Sequence, residues 1–303
     1  MYPRTIYIEN KIKWFQKLNP IIFHREIRRA VYDIYAKIIN NFGTSKLNGG
    51  IKLQDDSIKT EFIQTYDKYK FKMTLEKTKY DILLNILTFE KDNPKHCALI
   101  NIERNLHIAY LSNISYFRNC TTPDLVRTKG GSTILQFLLG FLKKNKDVLG
   151  INRIVLKDNS IKVCNNCPHN IQLNTMYFLL HHQTWYGKYG FRPFDKIEMK
   201  PDIQYTKLYN QNREKISQLK VKDTKLGNYF KEAIKEYDKN KNIDLDHMLN
   251  IVNLWKDKPL SQVLRVMMKD YDKYCCIFGY IQKMLYIDLN LQNFYGFDFY
   301  LDI

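Results

Sequence analysis

A basic pair, two glycines and two hydroxyl residues meet in Arg127-Thr128-Lys129-Gly130-Gly131-Ser132, directly before the apolar run Thr133–Lys144. Glycines allow the backbone to curl so that several N–H groups point one way. A helix beginning there adds unpaired N–H groups and the positive end of its dipole. The chemistry on offer is capture of a phosphate or pyrophosphate by Gly130, Gly131, Ser132 and Thr133, with Arg127 and Lys129 adding charge. The spacing differs from the P-loop, because no Gly-Lys-Ser/Thr follows. It also differs from the dinucleotide fingerprint of three spaced glycines.

A second chemical segment is Thr184-Trp185-Tyr186-Gly187-Lys188-Tyr189-Gly190-Phe191-Arg192-Pro193. A tyrosine there is able to give a proton to a leaving group, or simply to pack under a sheet with Trp185 and Tyr189. A third is Cys164-x-x-Cys167 with His169, His181 and His182 nearby. These are zinc-ligand types, but one Cys-x-x-Cys without a second pair is a weak metal signal, and consecutive histidines diverge by about 100° on a helix. Free thiols and no metal are the expectation. Cys275 and Cys276 fall in an apolar helical pattern and read as core.

The first two segments, in this order and with the apolar strand Ile151–Leu156 between them, resemble the GNAT family of N-acetyltransferases. Arg127-x-x-Gly130-x-Ser132 matches the family's Gln/Arg-x-x-Gly-x-Gly/Ala loop, and Tyr186-x-x-x-Gly190-Phe191 matches its later Tyr-x-x-x-Gly-Phe block. The stretch Asp158-x-Ser160-x-x-x-Cys164, followed by a helix and the tyrosine block, is similar to acetyltransferase-like proteins of large cytoplasmic DNA viruses. The resemblance covers roughly residues 69 to 200. It implies acetyl-CoA as cofactor, a primary amine as acceptor, and transfer of the acetyl group between them. Arg127, Lys129, Gly130, Gly131, Ser132 and Thr133 would then hold the pyrophosphate. Asn113 and Ile114, ending the strand before the loop, would meet the pantetheine arm through backbone groups, and Tyr186 would protonate the departing sulfur.

The chain departs from that pattern. The link from Ile114 to Gly130 is long, and the nearest candidate for the family asparagine, Asn174, lies too far upstream of Tyr186. No Glu or Asp lies on Leu106–Phe117, where a general base is often placed. Glu103, Asp124 and His107 are the nearby alternatives. A non-catalytic protein of the same fold, in a virion or assembly, is therefore the competing reading.

The elements that must position these residues read as follows. Residues 20–42 carry a helical apolar repeat opened by Pro20 and closed by Gly43. Tyr69, Phe71, Met73 and Leu75 alternate with polar residues as in a half-buried strand. Strands follow at Asp81–Phe89, Cys97–Ile102 and Leu106–Ile114, a helix at Thr133–Lys144, a strand at Ile151–Leu156, a helix from Asn174 to about Tyr186, and a strand at Phe194–Met199. Beyond Asn212 the character changes to three helices, Asp223–Tyr237, Asp244–Trp255 and Pro259–Leu285, with an aromatic alternating tail around Phe297 and Phe299. The expected fold is α/β (α+β): a mixed, mainly antiparallel central sheet flanked by helices. Residues 1–211 form the catalytic-type domain and residues 212–303 an added helical module, a candidate surface for a protein partner.

The whole chain, 303 residues and 45% hydrophobic, has the composition of a globular protein with an ample core. No apolar run reaches the ~20 residues of a membrane helix, so no membrane partner is expected. The start lacks a basic region followed by an apolar one, and six cysteines are sparse. Both point to an intracellular, reducing setting: host cytoplasm, or a virion if viral. The net charge of +17 comes from dispersed lysines in a Lys-, Asn-, Ile- and Tyr-rich chain, which fits an AT-rich coding sequence. Nucleic acid is not expected as the main partner.

Overall fold

The computed structural model describes residues 52–54, 57–77, 81–126, 129–165, 167–238, 244–270 and 274–303. The helix expected over 20–42 lies outside them. The fold is mixed α/β, with a large, mainly antiparallel sheet and eight helices among the described residues. The chain divides into two compact units: residues up to Ile154 with Asp302–Ile303, and Val155–Leu301.

The first unit is a meander of antiparallel strands, β1 (Lys52–Gln54), β2 (Ser57–Tyr66), β3 (Tyr69–Lys77), β4 (Asp81–Leu87), β5 (His96–Glu103) and β6 (Ile108–Ile114), paired in that order. Alternation sets the face of β3: Phe71, Met73 and Leu75 are buried, while Lys70 is exposed. Helix α1 (Gly130–Lys144) covers that face, and the Phe137 ring stacks on Phe71 with centroids 4.1 Å apart. The side-chain amide of Asn145 donates to the Phe141 carbonyl and closes the helix. A short turn, α2 (Lys146–Leu149), ends at Gly150 in the left-handed region (φ 72°).

Within the long link from Ile114 to Gly130, residues 115–126 form a structured strap. Cys120 is disulfide-bonded to Cys97 of β5, and β7 (Thr121–Thr122) pairs with β3. Arg118 Nε and Asp124 form a 2.7 Å ion pair, and the Leu125 N–H donates to the Arg118 carbonyl.

The second unit holds β8 (Arg153–Lys157, which crosses the division in sequence), the hairpin β9 (Ile161–Lys162) and β10 (Ile171–Gln172), and helix α3 (Leu173–His181). Then come β11 (Arg192–Asp195), β12 (Lys200–Pro201), α4 (Ile203–Gln218), α5 (Leu226–Tyr237), α6 (Leu245–Leu254), α7 (Leu260–Met267), α8 (Cys275–Asp288) and β13 (Asp298–Asp302). Strand β11 pairs antiparallel with both β12 and β13. Helix α4 runs continuously through residues 211 and 212.

Three element expectations need correction. The helix before Tyr186 ends at His181, because His182 takes a left-handed conformation (φ 61°). Asn174 lies in its first turn and Gln172 is the N-cap. The strand expected at Phe194–Met199 runs instead over Arg192–Asp195, and Ile197 and Glu198 donate backbone N–H groups to the Asp195 carboxylate in a turn. The long C-terminal helix is two, α7 and α8.

The thiol expectation also fails. All six cysteines are paired, as Cys97–Cys120, Cys164–Cys275 and Cys167–Cys276. The last two join residues 111 and 109 positions apart, a proximity no local spacing reveals. Disulfides persist in oxidising surroundings, so the thiol argument for a reducing compartment falls with the free thiols. No helix among the described residues is long and apolar enough to cross a membrane.

Candidate functional site

The expected phosphate-loop residues lie in the first unit, where Lys129 is the N-cap of α1 and Gly130–Thr133 form its first turn. The first helical bond runs from the Thr133 N–H to the Lys129 carbonyl at 2.9 Å. The N–H groups of Gly130, Gly131 and Ser132 therefore precede the helical ladder. The Thr133 hydroxyl donates to the same Lys129 carbonyl, 3.1 Å away. Arg127 lies outside the described residues.

The glycines do not curl the chain, since both already lie in the helix. Gly130 is needed for another reason. The Tyr116 ring rests where its Cβ would be, and any side chain there would overlap that ring. The strap holds Tyr116 in place, its hydroxyl donating to the Leu125 carbonyl at 3.1 Å. The aromatic ring on the helix start is a site feature that spacing alone did not reveal.

Strand β6 lies beside α1. Its register against β5 shifts near its end: Leu99 faces Asn113 while Ile100 faces Leu111, which leaves Ser112 as the extra residue of a bulge. Ser112 and Asn113 are exposed and Ile114 is half-buried. The Asn113 side chain exchanges hydrogen bonds with the Ser115 hydroxyl at 3.0 and 3.2 Å, so Asn113 offers its backbone more readily than its amide.

Among the base candidates of this unit, His107 sits in the turn before β6 (φ 58°) and its Nδ1–H donates to the Gly150 carbonyl at 2.9 Å. Asp124 is paired with Arg118. Both are engaged structurally.

Tyr186 lies in the second unit, beyond α3, as the N-cap of the short helical turn Gly187–Tyr189, and is 9% exposed. Its ring meets Trp185 and Phe191 edge to face at 4.8 and 5.8 Å. Gly190 is left-handed (φ 96°), as a tight turn before the strand requires. Gly187 has no room for a Cβ, because the Tyr209 hydroxyl and Thr184 Oγ1 occupy that space. The Tyr209 hydroxyl accepts the Thr184 N–H at 3.0 Å and Thr184 Oγ1 accepts the Gly187 N–H at 2.9 Å, which fixes the loop.

Two groups of this unit entered the sequence reading only as letters of a motif. Asp158 follows β8 and is 1% exposed. One carboxylate oxygen accepts the Ser160 hydroxyl at 2.7 Å and the Ser160 N–H at 3.2 Å. The other, Oδ2, is buried with no hydrogen-bond partner. Burial pushes this carboxyl up to about 6, against the two Ser160 hydrogen bonds that pull it down. The Tyr186 phenol belongs to the same unit. Burial, and then the Asp158 charge, hold that phenol well above its ordinary range, so Tyr186 is protonated at neutral pH. The Asp-x-Ser spacing directly after a strand was the available signal, an Asx-type turn with a carboxylate at its first position.

The cysteine and histidine segment is covalently occupied. Cys164 and Cys167 are tied to the first turn of α8. His169 Nε2 lies 2.8 Å from the Tyr237 hydroxyl, and His181 packs on Tyr177 at 4.2 Å. Among the described residues no group of three His, Cys, Asp or Glu side chains converges. The same loop and helix wall a cleft of about 970 Å³, lined by His169, Gln172, Thr175, Gln282, Lys283 and Tyr286 among others.

No family model, curated protein or solved structure matches this chain.

Proposed function

We propose that the chain is an acetyl-CoA-dependent N-acetyltransferase acting on a primary amine, with a GNAT-like sheet and an added C-terminal helical module. The observation that carries this reading is the sequence β6, bulge at Ser112, strap, then a helix opening on Gly130-Gly131-Ser132. A bulge frees a strand N–H, and a helix start presents three more. Those two features are what a pantetheine amide and a pyrophosphate require. Gly130, Gly131 and Ser132 then bind phosphate oxygens through backbone N–H groups, and Lys129 supplies charge. Acetyl-CoA brings the activated thioester. A strand N–H near Asn113 and Ile114 would polarise its carbonyl, and Tyr186 is the residue that the family resemblance implies as proton donor to the departing sulfur.

Calorimetric titration of the full chain with acetyl-CoA tests the reading. Micromolar binding is expected, about −8 kcal/mol, and Gly130→Val should abolish it while Tyr186→Phe leaves it intact. A folded Gly130→Val protein that binds as the parent does would remove the phosphate-loop assignment. Failure of the parent to bind would favour the non-catalytic alternative.

A further inference from the structure

We propose that the cleft walled by the 161–175 segment and α8 binds a small oxyanion carried on an oxygen-rich carbon body, a sugar phosphate or a sugar acid. Its fourteen lining residues all belong to the second unit, and none of them is an aspartate or glutamate. Lys283 lines it, is exposed, and makes no ion pair with any described residue. Glu236 of α5 acts on His169 but does not line the cleft. The volume of about 970 Å³ lies within the ~300–1,000 Å³ of small-molecule sites.

The lining amides add a surplus of donors. The Cys164 N–H donates to Asn170 Oδ1 at 2.9 Å, the Gln172 N–H to Gln282 Oε1 at 3.0 Å, and the Tyr295 N–H to Asn293 Oδ1 at 2.8 Å. A backbone N–H only donates, so each of these three amides is fixed with its oxygen turned to the protein. Asn293 Nδ2 must then act as a donor, and it donates to Gln172 Oε1 at 2.7 Å. That fixes the fourth amide as well. The Gln172 amide nitrogen is left open to solvent and unpartnered among the described residues, and Asn170 Nδ2 is likewise unpartnered. The acceptors of these four amides are used up, while N–H groups and one ammonium remain.

Such a lining suits a ligand that brings negative charge and lone pairs. An oxyanion meets Lys283, and hydroxyl or carbonyl oxygens meet the amide N–H groups. A polyamine finds no carboxylate there. The rings of the lining are engaged elsewhere: His169 with the Tyr237 hydroxyl, and buried Tyr286 with the Thr175 carbonyl. This favours an oxygen-rich body over a flat aromatic one. The walls are also held before any ligand arrives. Two disulfides join the loop to α8, and a Cβ on Gly279 would come 2.8 Å from the His169 carbonyl oxygen, so only glycine lets the loop lie this close to the helix. A site fixed in advance gives up little entropy on binding.

The test titrates the full chain with glucose 6-phosphate, gluconate and glucose, followed by calorimetry and ligand-observed NMR. At least one of the two anions should bind at about 1 mM or tighter, and glucose at least about 10-fold more weakly. A preference between the anions tells a phosphate site from a carboxylate site. Lys283→Met should weaken anion binding about 10-fold, the scale of one charge-assisted hydrogen bond. Gln172→Glu keeps the oxygen that accepts from Asn293 and puts a second acceptor where the unpartnered N–H groups were, so it should weaken binding as well. Lys207→Met, at an exposed lysine of α4 outside the cleft, should change nothing. Equal losses for Lys283→Met and Lys207→Met would mean general attraction to a chain of net charge +17 and would overturn the site. Binding that survives Lys283→Met and Gln172→Glu but is lost in Gly130→Val belongs to the start of α1 and overturns it too. So does glucose binding as tightly as the anions, or no binding of either anion at about 10 mM.

Discussion

At the start of α1 the groups on offer are backbone N–H donors and small side chains, buried at Gly130 and half-exposed from Gly131 to Thr133, without an ionisable acid. Around Tyr186 they are side chains, buried and titratable. The two regions solve opposite problems. Backbone donors at a helix start are oriented by the fold and keep their charge distribution at any ordinary pH. A buried carboxylate and phenol hold a proton only as tightly as their surroundings dictate. The first region should therefore respond to shape and the second to pH. Each is also fastened covalently: the strap by Cys97–Cys120, the 158–172 segment by two bridges to α8.

The fastenings offer the largest test of that contrast. Replacing all four of Cys164, Cys167, Cys275 and Cys276 by alanine opens a loop of about 110 residues. In the chain-entropy account this costs about 5 kcal/mol. Removing Cys164–Cys275 alone should cost only about 2 kcal/mol, since Cys167–Cys276 still closes nearly the same loop. The Cys97–Cys120 bridge spans 23 positions and should be worth about 3 kcal/mol. Urea unfolding under non-reducing conditions measures all three. Equal losses for the single and double removals in the second unit would mean that the bridges act on the native state and not through the unfolded chain.

The next largest effect belongs to Asp158. Its folded value is raised from about 4 to about 6, so folding favours the protonated carboxyl. Stability is highest below about pH 4, falls as pH rises through about 6, and is level above that. Two units correspond to about 3 kcal/mol, since each unit is about 1.4 kcal/mol. Asp158→Asn removes this penalty while its carbonyl still accepts from Ser160. The variant should match the parent near pH 4 and exceed it by up to about 3 kcal/mol at pH 7. Denaturant midpoints at several pH values check this. A gap that stays constant with pH would place the carboxyl outside the buried, proton-holding cluster.

Much of this frame is legible in the residues, for reasons that differ by region. The alternation of Tyr69–Leu75, the apolar runs at 81–89 and 97–102, and the Gly-Gly-Ser opening of an apolar helix are local signals, and the strands and α1 appear where they predict. The β-bulge at Ser112 is not local, because it depends on the register of β5. The disulfides join positions up to 111 apart, so Cys164-x-x-Cys167 read alone pointed to free thiols. The strap was visible only as excess length. Asp158 and Ser160 entered only as letters of a motif, since burial, which gives the carboxyl its chemistry, is a property of the packed unit. His181 and His182 were read as part of one continuing helix, whereas α3 ends at His181 and His182 turns left-handed.

The smallest predicted effect concerns shape at the start of α1. Alanine is a better helix residue than glycine by about 1 kcal/mol in a helix interior. At position 130 the Tyr116 ring occupies the space a Cβ needs, and that ring is fixed by its hydrogen bond to Leu125. Gly130→Ala should therefore destabilise the protein by about 2 kcal/mol, the usual scale of overpacking. In a Tyr116→Ala background the obstacle is gone, and the same substitution should be neutral or stabilising. The double-mutant cycle isolates the ring's contribution, because the two residues touch and their effects cannot add. If Gly130→Ala costs the same in both backgrounds, the glycine is required by its backbone conformation instead. The start of α1 would then be a curled loop and not a helix held under an aromatic ring.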